Sequence, residues 1–168
     1  MTDRTTPVNA WTGSRKQEFI VLVLTTCAVL GVAFYAVWDT PPFVDEFVHM
    51  EQILALANGI YLIHPVATTI PGYHAVIAVL ARIVGGQSPD MLRLYSTLLS
   101  FLSVMVFYLA AKQRKNTSGL LPVVQFMMLP ILFPYSVLVY TDLFALATVV
   151  FCYYLHVKKN CCLPDGSV

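Results

Sequence analysis

Residues 19–38 read FIVLVLTTCAVLGVAFYAVW. Twenty consecutive positions pass without a charge, and at the helical rise they cover roughly 30 Å, about one hydrocarbon core. Arg4, Arg15 and Lys16 precede the run and Trp38 closes it, so the spacing predicts a signal anchor with its N-terminus, residues 1–18, in the cytosol. A cleavable signal peptide fits less well, because the run is too long and lacks a clear small-residue cleavage site.

The rest of the chain agrees with this class. Its 168 residues are 58% hydrophobic and 11% charged, and the mean hydropathy is +0.72, too little polar surface for a soluble domain of this size. A formal net charge of +1 without a basic stripe gives no footprint for nucleic acid. Cys27 and Cys152 lie inside apolar runs and Cys161-Cys162 are neighbours, so neither a disulfide framework nor a zinc spacing is present.

Three further runs follow: Met91 to Ala111, Gly119 to Pro134 with a weak continuation to Tyr140, and Leu143 to Val157. Lys112, Arg114 and Lys115 follow the first of these, and Lys158 and Lys159 follow the last. With four crossings, both basic clusters and the basic N-terminus share one side, as the positive-inside rule asks. The predicted fold is therefore an all-α membrane protein with about four transmembrane helices across 19–157, a luminal loop at 39–90 and a cytosolic tail at 158–168. Residues 71–85 are short for a span, and counting them as one would put Lys112 to Lys115 on the wrong side. They are expected as an amphipathic interfacial helix on the luminal surface. Pro122, Pro130 and Pro134 interrupt the third run and predict kinks or a break.

Between the apolar flanks sits a cluster of carboxylates, histidines and prolines: Asp39 to Pro42, Asp45-Glu46, His49, Glu51 and Thr68-Thr69-Ile70-Pro71-Gly72. Charged groups are costly near hydrocarbon, so such a cluster points to function. Thr40 is placed to cap a helix starting at Pro41 and Pro42. Phe43, Phe47, Met50, Leu54 and Ala57 then share one face, and Asp45, His49 and Gln52 share another, turned to the lumen. Asp45 and Glu46 point about 100° apart.

Three chemistries compete for this cluster. Glu46-x-x-His49 is a single Glu-x-x-His pair, where a di-iron centre needs two such pairs and two more acids, so no metal is expected. A solvated polar face is the plain alternative. The third is general base catalysis, in which a carboxylate takes the proton of a sugar hydroxyl. Pattern alone leaves the last two open.

The residues themselves resemble a known family. Asp45-Glu46-Phe47-x-His49 with Gln52, Gly59 and Thr68-Thr69-Ile70-Pro71-Gly72 is similar to the first luminal loop of the dolichyl-phosphate-glucose alpha-1,2-glucosyltransferases of the Alg10/Die2 family. There the loop reads Asp-Glu-x-Phe-His…Gln…Gly…Thr-Thr-Leu-Pro-Gly, so the phenylalanine stands one place earlier here. Met91-Leu92-Arg93 and Tyr140-Thr141-Asp142 resemble the family's Met-Leu-Arg and Tyr-Thr-Glu. The plan also looks like part of the GT-C fold.

The resemblance implies an inverting transfer of glucose from dolichyl-phosphate-glucose to a lipid-linked oligosaccharide in N-glycan precursor assembly, in the endoplasmic reticulum membrane. The donor is a substrate, and no cofactor is implied. The partners are membrane lipid, the dolichol-linked donor and the oligosaccharide acceptor. Asp45 is the first choice for the general base and Glu46 the second. Thr68, Thr69 and the Pro71-Gly72 turn would floor the cleft, Arg93 would meet the donor phosphate, His49 would orient a carboxylate, and Asp142 would help close the site. Family members are several hundred residues long with more spans, so a fragment or truncated form is expected. A non-catalytic membrane subunit or regulator that kept the loop for binding is the alternative reading.

Asn116-Thr117-Ser118 is a glycosylation sequon that this topology places in the cytosol. It should stay unmodified in cells, with no mobility change after endoglycosidase treatment. A glycan on Asn116 would invert the orientation.

Overall fold

The computed structural model describes residues 8–61, 65, 72–113, 119–129 and 135–161. Thr68 and Thr69, the sequon at 116–118 and the prolines at 130 and 134 lie outside the described residues. The regular elements among the described residues are all helices: α1 (Val8–Val37), α2 (Val44–Ala57), α3 (Gly72–Val84), α4 (Pro89–Lys112), α5 (Leu120–Met127) and α6 (Thr141–Cys161).

Two of these helices are long and apolar enough to cross a membrane, Lys16–Val37 within α1 and Pro89–Lys112. α1 buries only a narrow stripe, Leu22, Thr26 and Leu30, at the i, i+4, i+8 positions of one face. Its other faces expose Phe19, Ile20, Val21, Leu24, Val32 and Tyr35. A helix that is apolar all round yet exposed on most sides calls for an apolar surrounding, either lipid or further protein. α4 starts at a Ser88 cap whose Oγ accepts from Met91 N at 3.3 Å, with Pro89 in its first turn, where a missing N–H is no loss. Its 24 residues reach about 36 Å.

The third expected span is not one continuous helix among the described residues. α5 has eight residues and reaches only about 12 Å. It stops at Met127 because Leu129 precedes a proline, which disfavours helical backbone at the residue before it. Pro122 sits in the first turn of α5 and is tolerated there. Beyond the break, Ser136 to Val139 run buried without forming a helix, supported by Ser100 of α4, whose Oγ donates to the Ser136 carbonyl. α6 then packs along α4 over 21 residues, about 31 Å.

Contacts fix two ends for this bundle. At one end Glu18 of α1 accepts from Lys112 Nζ and, at 2.9 Å, from the Gly119 N–H. At the other, Val37, Thr40, Arg93 and Val139 meet around Glu46. Segments 16–37 and 89–112 therefore run between the same two levels, with Gly119 at one and Val139 at the other.

α2 and α3 sit at the Arg93 end. α2 begins at Val44, not at Pro41 as the cap at Thr40 predicts. Thr40 and Pro41 each precede a proline and are pushed out of helical backbone, and the Thr40 hydroxyl donates to Val37 O at 2.8 Å. The polarity of α2 also differs from expectation. Glu46, His49 and Gln52 are buried with Met50, Ile53 and Ala57, while Val44 is 84% and Phe47 58% exposed. The Glu46–His49–Gln52 stripe faces the protein, and Asp45 and Glu51 are exposed together with Val44 and Phe47. Gly59, at φ +79°, ends the helix as the sequence suggests.

α3 is 13 residues long, about 20 Å and so shorter than a hydrocarbon core. Tyr73, Ile77, Ala78 and Ala81 close onto Met50, Ile53, Ala57, Leu92 and Tyr95. This small core holds the α2–α3 pair on the end of α4. Ile77 is fully buried in it, so Ile77→Ala should cost about 2–5 kcal/mol. Reversible denaturation in mild detergent would measure this, and an unchanged midpoint would place Ile77 outside the core.

Candidate active site

Asp45 and Glu46 are adjacent in sequence, and the helical turn of about 100° sends them to opposite fates. Glu46 is fully buried. Its Oε1 accepts from Arg93 Nε at 2.9 Å and Val139 N at 3.2 Å. Its Oε2 accepts from Arg93 Nη2 at 2.7 Å and Phe43 N at 3.2 Å. Four donors fill the capacity of one carboxylate.

Arg93 is likewise fully buried. Besides Glu46, its Nη1 donates to Val37 O at 2.7 Å and Thr40 O at 2.9 Å, and its Nη2 reaches Pro41 O at 3.4 Å. Asp90 lies 3.7 Å from Nη1 and accepts from Asp39 N at 3.2 Å. In place of the expected contact with a donor phosphate, every N–H of Arg93 is committed inside the protein. Glu46, the second candidate base, is closed to a substrate hydroxyl for the same reason.

Asp45 is exposed on the outer turn of α2. Tyr140, just ahead of α6, points its Oη at Asp45 Oδ2 from 3.4 Å. Burial, and then the Asp45 charge, push the Tyr140 phenol up to about 12, so it stays a protonated donor. Its ring meets the His49 ring edge-on at 5.7 Å and the Tyr135 ring at 4.7 Å. Asp142 is exposed in the first turn of α6, where a carboxylate complements the helix dipole.

His49 is buried between these groups and α3. Its Nδ1 lies 3.0 Å from His74 Nε2. Burial holds the His49 imidazole below its ordinary value, opposed by the charges of Asp45 and Asp142. His74 is fully buried and falls to about 4, first through burial and then through His49. Both rings are therefore neutral near pH 7. Gln52, one turn along α2, has neither amide atom paired among the described residues.

The structure thus gathers Asp45, His49 and Asp142 at one edge and seals Glu46 and Arg93 beneath them. Sequence reasoning missed Tyr140 as a neighbour of Asp45 and His74 as a neighbour of His49. His74 had a signal: it shares the helical stripe of Ile77, Ala78 and Ala81, which marks a buried face. Tyr140 offered only its place before Thr141-Asp142. Among the described residues no three His, Cys, Asp or Glu side chains converge as a metal site.

Removing one member of a buried pair leaves an uncompensated charge and costs about 3–5 kcal/mol. Glu46→Gln and Arg93→Gln should each lower thermal stability by that order in detergent. Arg93→Lys should not restore it, since an ammonium has three donors on one nitrogen and cannot span the fork and the carbonyls together. Wild-type stability in Arg93→Lys would show that the fork geometry is not needed.

Comparison with known proteins adds one finding. Residues 39–165 match the DIE2/ALG10 family. No curated protein and no solved structure matches the chain. The match covers α2 to α6, and the chain belongs to the DIE2/ALG10 family, glucosyltransferases of N-glycan precursor assembly in the endoplasmic reticulum membrane.

Proposed function

We propose that this chain carries the base-bearing part of a transferase that moves glucose from dolichyl-phosphate-glucose to a lipid-linked oligosaccharide, with Asp45 as general base. The observation that carries this reading is the separation of the two carboxylates. Glu46 is saturated and sealed, and Asp45 is exposed beside Tyr140. A carboxylate that is open to water and steered by a neutral phenol suits removal of a hydroxyl proton.

In this reading the sugar hydroxyl of the acceptor gives its proton to Asp45 as its oxygen attacks the anomeric carbon of glucose. The bond to the donor phosphate breaks, and the configuration inverts. The α2–α3 end of the bundle lies in the lumen, and the Glu18–Lys112 end lies in the cytosol, with four crossings between them. Asp142 and His49 hold sugar or phosphate oxygens. Thr68 and Thr69 keep their expected place at the cleft floor as part of the proposal.

In the same reading the lipid part of the substrate has a seat against α1. An apolar groove of about 590 Å³ runs between α1 and the broken third segment, walled by Ala28, Val32, Ala36, Met128 and Val137. Its upper end is Val37, whose carbonyl is tied to Arg93. A chain lying there would bring its polar head to the level of Asp45.

Asp45→Asn should lower glucosyl transfer by roughly 10²–10⁴-fold in microsomes supplied with dolichyl-phosphate-glucose and the lipid-linked acceptor, with membrane insertion intact. Wild-type transfer by this variant would remove Asp45 from the mechanism.

A further inference from the structure

His49 and His74 share one hydrogen bond, between His49 Nδ1 and His74 Nε2 at 3.0 Å, and a neutral imidazole carries one N–H. Two arrangements satisfy the contact. In the first, His49 Nδ1–H donates. His74 then carries its proton on Nδ1, and His49 Nε2 is a bare lone pair. In the second, His74 Nε2–H donates. His74 Nδ1 is then bare, and His49 carries its proton on Nε2.

The surroundings distinguish them. His74 Nδ1 is buried and has no partner among the described residues. Orphaned buried N–H groups are rarer in folded proteins than under-satisfied acceptors. The charges acting on His49 point the same way: Asp45 from its own helix and Asp142 from α6, with the Tyr140 ring edge-on. A bare nitrogen lone pair is disfavoured in the field of two carboxylates, and an N–H is favoured. On the other side, His74 meets the Tyr73 ring at 5.6 Å, and the Tyr73 hydroxyl is occupied by Ser96 at 2.7 Å.

We propose that His74 is a positioning residue that donates from Nε2 to His49 Nδ1 and so fixes His49 as the Nε2–H tautomer, an N–H donor for oxygen at the edge of the cleft. This rests on the reading of Asp45 as base. His74 touches no substrate. It determines that the ring beside Asp45 offers a proton to a hydroxyl, phosphate or carboxylate oxygen and does not compete with Asp45 for one.

Histidine nitrogen NMR on the whole chain in lipid nanodiscs tests this without any transfer assay. The chain has four histidines, His49, His64, His74 and His156, and His49→Gln and His74→Gln assign the two of interest. At pH 7.5 both His49 and His74 should be protonated on Nε2. Protonation of His49 on Nδ1 in the wild-type spectrum overturns the proposal, whatever the variants do.

Transfer gives a second arm. His74→Gln keeps an N–H donor and should retain transfer within about threefold, whereas His74→Leu should lose about tenfold in kcat with little change in KM. Equal loss in both, or no loss in His74→Leu, overturns the functional role. If Asp45→Asn transfers normally while His49 still reads as Nε2–H, the base assignment falls and the tautomer assignment stands.

Discussion

Glu46 and Arg93 form an ion pair with no access to solvent, and the end of the bundle is organised by what that costs. Taking a carboxylate and a guanidinium out of water is expensive, and their attraction offsets the loss only if every remaining donor and acceptor is met. Here the carboxylate receives the backbone N–H groups of Phe43 and Val139. The guanidinium takes the carbonyls of Val37, Thr40 and Pro41. The groups that complete the pair come from the α1–α2 connection at 37–43 and from Val139 ahead of α6. One electrostatic requirement therefore ties the exit of α1, the start of α2, the head of α4 and the non-helical segment before α6.

This also explains why the third apolar run can break. Backbone groups without helical partners are intolerable where lipid surrounds them, and acceptable where protein meets them. Ser136 to Val139 are buried, and the Ser136 carbonyl and the Val139 N–H are met by Ser100 and Glu46. The break leaves an apolar groove against α1 and brings Tyr140 to the carboxylate that remains exposed and Asp142 near His49. The same non-helical segment closes the ion pair and opens the site.

Much of this was legible in the sequence, in proportion to how local its cause is. The long apolar helix through 19–37, the Arg93-headed helix, the short helix at Gly72 and the stop at Gly59 follow from composition and turn residues, whereas the Ser88-Pro89 start of α4 lies ahead of the Met91 start that the apolar run predicts. The 100° divergence of Asp45 and Glu46 also follows from helix geometry alone. Which of the two turns inward does not. An amphipathic reading sends polar residues outward, and it fails for α2 because Glu46 has a partner 47 positions away. Arg93 looked free for the same reason: its acceptors are backbone carbonyls of distant residues, which leave no trace in residue type. The start of α2 was misplaced because the two-proline step disfavours helix more strongly than Thr40 can favour it. The pairing of His49 with His74 spans 25 positions and has no periodic signature that links the two.

The linker from Trp38 to Phe43 is an apparently ordinary surface connection, yet three carbonyls at or beside it are gripped by one guanidinium. Surface loops usually accept insertions and deletions freely. This one has its length dictated, because a single added or lost residue ahead of Val44 would rotate α2 by about 100° and exchange the sealed acid for the open one. Descendants of this sequence are thus free to vary the chemistry of positions 38–43 far more than their number.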